Sequence, residues 1–202
     1  MPCIDFTAPP WGGISTGDRA CGGSALNTFT DGTNGLSFII ASGSMNITSV
    51  QGNRMLFFST VDCDNHTVHS VATLIIRFTA PKERVTLRLG FDEHGTAPAV
   101  VNFYRQMGNP DPSNLVASRT VEWNGNQFSN VVYDNCCLPI QEITIRTDRP
   151  ENSLDDLCWG LSLSRRTFLG RAVCLCIARR ALDWLRLVSA DIRSLFRQPD
   201  DG

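Results

Sequence analysis

The strongest constraint on the fold is a series of short segments in which every second residue is apolar. In RVTLRLGF, residues 84–91, alternate positions hold Val, Leu, Leu and Phe, and Arg, Thr, Arg and Gly stand between them. Successive side chains of a β-strand point to opposite faces, so this pattern is typical of a strand with one buried and one solvated face. It predicts an antiparallel sheet, because such sheets commonly leave one face in water.

Similar segments follow one another from residue 36 to about residue 161, separated by turn residues. They are LSFII, MNITSV, RMLFFSTV, VATLIIRF, AVVNFY, VASRTVEW, FSNVVY and QEITIR. Their lengths and spacing are typical of a β-sandwich or barrel. Because no long helical pattern occurs before residue 164, the body of the chain is predicted to be all-β.

The last part of the 202-residue chain changes to the helical period. Between residues 164 and 197, apolar residues fall on one stripe of a helix and arginines gather on the opposite side. The sequence therefore predicts a β-sandwich over residues 1–161, an amphipathic Arg-rich α-helix over 164–197 and a disordered tail over 198–202. The apolar stretch within the helix is much shorter than the ~20 residues that a membrane-spanning helix needs.

The charge of the chain is unevenly distributed. The net charge is −2, but residues 164–197 hold eight Arg and two Asp, a local charge of +6 that leaves −8 for the rest. An acidic body repels phosphate, so no nucleic-acid partner is expected. The basic helix has three possible roles: packing on the sandwich, self-association with another copy, or contact with an anionic membrane surface.

The cysteine content favours an oxidising compartment. The chain has eight Cys, an even number in a β-rich sequence, which predicts disulfides and a secreted or cell-surface protein. No signal peptide is visible in the first residues, so export would require one upstream. The sequence alone cannot choose among the possible pairings; those considered are Cys3 with Cys21, and Cys63 with Cys136 or Cys137.

The order of several motifs is similar to that in a known family. These motifs are Ile4 to Phe6, Phe78 to Pro81, Val85 to Phe91, Val101 to Tyr104, Ile140 to Ile145, and Asp155 to Trp159. Together they resemble exported bacterial galactose-binding-like jelly-roll modules, including those of proteins with C-terminal sorting signals. The resemblance covers roughly residues 4–161 and implies an antiparallel jelly-roll β-sandwich. The Arg-containing tail and the additional cysteines depart from the family pattern.

Two adjacent acids, Asp155 and Asp156, raise the question of a catalytic or metal site. Neighbouring strand residues point to opposite faces unless a bulge redirects one, which argues against a facing pair of catalytic acids. The resemblance implies a structural Ca²⁺ that ties the first strand to the last, with Asp5, Asp155 and Asp156 as oxygen ligands. The alternative is that one Asp caps a turn and the other is solvated.

A second group of metal-ligand residue types occurs in CDNHTVH, which contains Cys63, His66 and His69, with His94 further along the chain. Zinc requires three or four converging nitrogen or sulfur ligands. Exposed loop histidines and a disulfide-bonded Cys63 are the commoner arrangement, so no zinc site is predicted.

A glycan site needs an exposed aromatic ring for the C–H face of a sugar and polar side chains for its hydroxyls. The candidate ligand-binding residues are Trp11, Tyr104, Arg105, Trp123, Asn124 and Asn126. Each aromatic residue among them is also a candidate for the core.

No catalytic motif supports an enzyme. The chain has no Gly-x-Ser-x-Gly turn and no Gly-rich phosphate loop between a strand and a helix. We therefore expect a non-catalytic extracytoplasmic binding module for carbohydrate or another cell-surface ligand. The alternative is a structural surface or assembly protein whose C-terminal helix mediates oligomerisation or membrane contact.

Overall fold

The computed structural model of the chain describes residues 1–4, 6, 28–50, 53–61, 68–91, 98–108, 111–122 and 128–160. The chain divides into two units, Met1–Leu161 and Ser162–Gly202, and every described residue belongs to the first. The predicted helix over 164–197, with its roles in self-association or membrane contact, and the tail over 198–202 lie outside the described residues. In the described part of the chain, no helix is long and apolar enough to cross a membrane.

The described part of the chain forms short strands in two sheets. In chain order they are β1 (Cys3–Ile4), β2 (Thr28–Asp31), β3 (Leu36–Ser42), β4 (Ser44–Val50), β5 (Asn53–Ser59), β6 (Ala72–Lys82), β7 (Arg84–Phe91), β8 (Ala99–Tyr104), β9 (Leu115–Val121), β10 (Ser129–Asp134), β11 (Ile140–Thr147) and β12 (Asn152–Gly160). The first sheet has the order β10-β7-β12-β5-β4, with β1 also beside β12, and the second has the order β2-β3-β6-β11-β8-β9. All neighbouring strands are antiparallel, which confirms the predicted all-β sandwich.

Eight of these strands pair in a nested order. The innermost pair is β8 with β9, followed outwards by β7 with β10, β6 with β11 and β5 with β12. These pairs alternate between the two sheets, as they do when one long hairpin is rolled into two layers. This is the strand arrangement of a jelly roll. The remaining strands, β1 to β4, extend the two sheets.

The core lies between the sheets and follows the alternation of the sequence. On β7, Val85, Leu87 and Leu89 are fully buried, whereas Arg88 is exposed. Aromatic rings fill the space between the two layers, and those of Phe78 and Trp159 lie 6.3 Å apart. Burial of such side chains is the main source of stability in a sandwich of this kind.

A disulfide attaches the N-terminal strand to the last strand. In the register of β1 with β12, Cys3 lies opposite Cys158, their Cα atoms are 4.0 Å apart, and the two are disulfide-bonded. The considered pairing of Cys3 with Cys21 is therefore wrong, because strand pairing places a residue 155 positions away directly opposite Cys3. Cys137 is also disulfide-bonded. The considered partner Cys63 lies outside the described residues.

Candidate ligand-binding groove

On one side of the described sandwich, the edge strands β9 and β10 of the two sheets face each other. Within the described residues, β9 pairs only with β8 and β10 only with β7, so each leaves one backbone edge unpaired. A groove of about 530 Å³ lies between these edges, lined by residues 119–122 of the β9 side and 129–132 of β10. This volume falls within the range of roughly 300–1,000 Å³ that is usual for small-ligand sites.

The lining of the groove combines an apolar floor with polar walls. Val121 and Val131 are buried, whereas Arg119, Glu122 and Asn130 are exposed. The lining also includes the hydroxyls of Thr120 and Ser129 and the half-exposed side chain of Val132. The groove thus offers hydrogen-bond donors and acceptors around an apolar surface.

Strand register explains why a charged residue reaches this groove. Arg119 pairs with Val101 of β8, and the side chain of Val101 is fully buried in the core. The side chain of Arg119 therefore projects from the inner face of its sheet. It is nevertheless exposed, because the sandwich is open at this side. The residues of β9 are mostly polar or small, as is common for an edge strand.

An aromatic pair lies between the sheets beside the groove. The rings of Phe103, on β8, and Tyr133, on β10, stack with centroids 5.0 Å apart. The Tyr133 hydroxyl donates a hydrogen bond to the carbonyl of Leu138. Burial raises the pKa of Tyr133 to about 12, and the positive charges of Arg105 and Arg119 oppose this rise. This pair joins the two sheets beside the groove, because Tyr133 directly follows Val132, the last groove-lining residue of β10.

We expect the Tyr133 hydroxyl to make stability pH-dependent in alkali. The unfolded chain loses this proton near pH ~10, whereas the folded protein keeps it up to about pH 12. The free energy of unfolding should therefore carry the full contribution below pH ~10 and lose it between about pH 10 and 12. In urea unfolding, the free energy of unfolding of the Tyr133→Phe variant should fall less over that pH window than that of the wild type. Parallel curves for variant and wild type would contradict this assignment.

Of the sequence-predicted ligand residues, the described ones lie at one end of β9. Tyr104 pairs with Leu115, the first residue of β9, and is buried with 7% of its surface exposed. Arg105 follows it and is exposed, and its backbone N–H donates to the carbonyl of Asn114. The structure therefore presents Arg105, but not the ring of Tyr104, to solvent.

The other predicted ligand residues belong to undescribed segments of the chain. Trp123, Asn124 and Asn126 lie in the sequence that joins Glu122 to Phe128, and Trp11 precedes β2; all four are outside the described residues. Val121 is six residues from Leu115, so the segment that follows Glu122 starts ~20 Å along the strand from Tyr104. The described geometry does not bring Tyr104 and Arg105 together with the start of this segment.

The acidic pair on β12 lies at a β-bulge. The pairing of β12 with β7 shifts between Leu154 and Asp156, so Asp155 is the extra residue of a bulge. Both carboxylates bind Arg88, on the outer face of the first sheet. Nη1 of Arg88 lies 2.7 Å from Oδ2 of Asp155 and 3.5 Å from Oδ2 of Asp156. The two acids thus share one cation.

Arg88 also links this acidic pair to the groove. Its guanidinium lies 4.6 Å from the centre of the Phe128 ring, a cation–π contact. The Phe128 ring packs over Gly90, where a Cβ atom would come within 3.0 Å of it. Because Phe128 directly precedes Ser129 of the groove lining, Arg88 helps to fix the start of β10.

The structure does not test the proposed metal ligands. Asp5 lies outside the described residues, as do Cys63, His66 and His94 of the zinc alternative. Among the residues that the structure describes, no group of three or more His, Cys, Asp or Glu side chains could hold a metal ion. The calcium site therefore stays a prediction.

The ion pairs of Arg88 should differ in strength. The Asp155 side chain is 12% exposed and the closer partner, whereas the Asp156 side chain is 41% exposed. In double-mutant cycles with Arg88→Met, we expect Asp155→Asn to give a coupling energy of ~1–3 kcal/mol. Asp156→Asn should give less than ~1 kcal/mol, because water screens an exposed pair. Equal coupling energies of Arg88 with the two acids, measured by urea unfolding, would show that the bulge does not give Asp155 the stronger ion pair.

Comparisons with known proteins find similar solved structures at low sequence identity. No protein-family model matches the chain, and no curated protein matches it. An adhesin domain of Lys-gingipain from Porphyromonas gingivalis is 15% identical, covers 80% of this chain and 98% of that chain, and has a TM-score of 0.40. A low-affinity xylan-binding module from Roseburia intestinalis is 12% identical, covers 70% and 98%, and has a TM-score of 0.36.

A third similar structure is a carbohydrate-binding module of Clostridium stercorarium solved with cellobiose. It is 15% identical, and the match covers 69% of this chain and 89% of that chain with a TM-score of 0.36. The three similar structures are thus two carbohydrate-binding modules and one bacterial adhesin domain. The jelly-roll assignment itself rests on the nested strand order.

Proposed function

We propose that this sandwich is a non-catalytic, extracytoplasmic carbohydrate-binding module and that the groove between β9 and β10 holds the glycan. The observation that carries the proposal is the composition of the groove. Exposed Arg119, Glu122 and Asn130 surround the buried side chains of Val121 and Val131. A sugar ring has hydroxyls around its edge and C–H groups on its faces, so polar walls and an apolar floor match its two kinds of surface.

The polar walls provide complementary hydrogen-bonding groups. The Glu122 carboxylate accepts, the Arg119 guanidinium donates, and the Asn130 amide does both. One sugar hydroxyl can donate to a carboxylate while it accepts from an amide or a guanidinium. The unpaired strand edges supply further backbone N–H and C=O groups along the groove.

The disulfide supports an extracytoplasmic location. Cys3 and Cys158 are bonded across paired strands, and such bonds persist mainly in oxidising compartments. The groove also supports a binding role rather than hydrolysis. Its described lining contains one carboxylate, Glu122, whereas most glycoside hydrolases use two across the scissile bond.

A glycan array followed by titration calorimetry tests this function. We expect binding to a subset of oligosaccharides, and Asn130→Ala should weaken it by about 5- to 10-fold, equivalent to the loss of one or two hydrogen bonds. Asn102→Ala is the matched control, because Asn102 lies on the outer face of the second sheet, away from the groove. Absence of binding to any glycan, or equal losses in the two variants, would reject the proposal.

A further inference from the structure

We infer that the groove selects acidic glycans and binds an anionic substituent, a carboxylate or a sulfate, at Arg119. This inference rests on the proposed glycan-binding function and specifies its ligand class. It starts from the ionic partners of the arginines. Within the described part of the chain, Arg77, Arg84 and Arg88 form ion pairs with carboxylates, whereas Arg105 and Arg119 do not.

Arg119 lines the groove, whereas Arg105 lies beyond the end of β8. Arg119 lies opposite Val101 on the inner face of the second sheet, and Arg105 directly follows Tyr104, the last residue of β8. The Phe103 ring stacks on Tyr133, and the charges of both arginines act on the Tyr133 hydroxyl. Arg119 is therefore the cation that lines the groove, and Arg105 adds positive charge near Tyr133, which directly follows Val132 of the lining.

Hydrogen bonds within the protein fix both arginines and engage the nearby carboxylate of Glu142. The N–H of Arg105 donates to the Asn114 carbonyl at 3.0 Å, and Nη1 of Arg119 donates to the Ser118 carbonyl at 2.9 Å. The nearby carboxylate of Glu142 accepts hydrogen bonds from Arg77 and from the backbone of Gly108. Each arginine thus donates a hydrogen bond to a backbone carbonyl, and neither forms an ion pair with a described carboxylate.

The chemistry of the guanidinium group favours an oxyanion as the ligand. Each guanidinium carries five N–H donors, and Arg119 uses one nitrogen for the Ser118 carbonyl. Its planar donor arrangement matches the two oxygens of a carboxylate or a sulfate, and such charge-assisted bonds are roughly twice as strong as neutral ones. A sugar hydroxyl offers the two lone pairs of a single oxygen and carries no charge.

The two ends of the groove also differ in charge. The two lining strands run in opposite directions from the segment that connects them, so Glu122 and Ser129 form one end and Arg119 and Val132 the other. A negative substituent would be repelled near Glu122 and attracted near Arg119. We therefore expect an acidic sugar residue at the arginine end and neutral hydroxyls at the glutamate end.

The experiment compares glycans that differ only in charge. One pair is an oligogalacturonate and its methyl ester, and the other is a sulfated galactan oligosaccharide and its desulfated form. By calorimetry in low salt, the anionic member of at least one pair should bind about tenfold more tightly, and added salt should reduce the difference. The two pairs distinguish carboxylate from sulfate recognition.

Matched variants locate this preference. Arg119→Gln should weaken binding of the anionic glycan more than that of the neutral one and so remove most of the preference. Arg105→Gln should have a smaller effect in the same direction, and Arg119→Lys should restore part of what Arg119→Gln loses. Arg146→Gln, an exposed arginine on β11 away from the groove, is the control and should change nothing. Thermal unfolding confirms that each variant is folded.

The possible outcomes separate the two proposals. Equal binding of charged and neutral glycans, with Asn130→Ala still weakening both, would overturn the acidic preference and leave the carbohydrate-binding function intact. A preference that survives both arginine substitutions would also overturn the inference. If no member of either pair binds and the array is negative, the carbohydrate-binding function itself is rejected.

Discussion

Replacement of Phe103 by alanine is expected to lower the free energy of unfolding by about 3–5 kcal/mol. Phe103 is fully buried, and its ring stacks on Tyr133 across the open side of the sandwich. The substitution removes apolar area from the core and leaves a cavity between the two sheets. Because neighbouring side chains in a packed core collapse only partly into such a space, both losses contribute.

Urea unfolding followed by intrinsic fluorescence measures this effect. Tyr133→Phe is the matched control, because it keeps a ring against Phe103 and removes only the hydroxyl that binds the Leu138 carbonyl. The control should lose about 1 kcal/mol at neutral pH. A loss below ~1 kcal/mol for Phe103→Ala would show that the two sheets are not packed through this pair.

Removal of the Cys3–Cys158 disulfide is expected to be the second large effect. The two cysteines are separated by 155 positions, so the bond closes almost the whole described sandwich into one loop. Cross-linking such a long loop restricts the unfolded chain, and disulfides of this kind stabilise proteins by about 2–4 kcal/mol. The Cys3→Ser/Cys158→Ser double variant should lose that amount and should also release β1, which pairs only with β12 among the described strands.

The double variant is more informative than a reducing agent, because Cys137 is also disulfide-bonded and would be reduced as well. Guanidinium unfolding under non-reducing conditions should shift to a lower midpoint in the double variant. The backbone N–H of Trp159, which donates to the Pro2 carbonyl, should lose protection from hydrogen exchange. An unchanged midpoint together with unchanged exchange would contradict the structural role assigned to this bond.

Most of the sandwich could be predicted from the sequence, because alternation is a local property. The segments that became β6 and β7 show alternate apolar residues, and those residues form the core. The position of Cys158 opposite Cys3 depends on which strands become neighbours, and no local pattern contains that information. The sequence allows a bulge at the acidic pair but does not locate it at Asp155, because the position of a bulge is set by pairing with another strand.

The groove was harder to predict for the same reason. The sequence favours loop-proximal aromatic residues as ligand candidates, yet Tyr104 is buried. The residues that line the groove, including Arg119 and Asn130, are ordinary polar positions of two short strands. Only the sheet order shows that these strands are both edges and that they face each other. The one signal in the sequence was an arginine at a position whose alternation assigns it to the inner face.

A nuclear magnetic resonance titration of the labelled protein with the tightest-binding oligosaccharide from the array tests the central claim most directly. We predict that amide signals of residues 119–122 and 129–132 shift with the ligand, because these residues line the groove. Signals of Asn102 and Arg146, on the outer face of the second sheet, should stay in place. Shifts confined to that outer face, with no change along β9 and β10, would contradict the account.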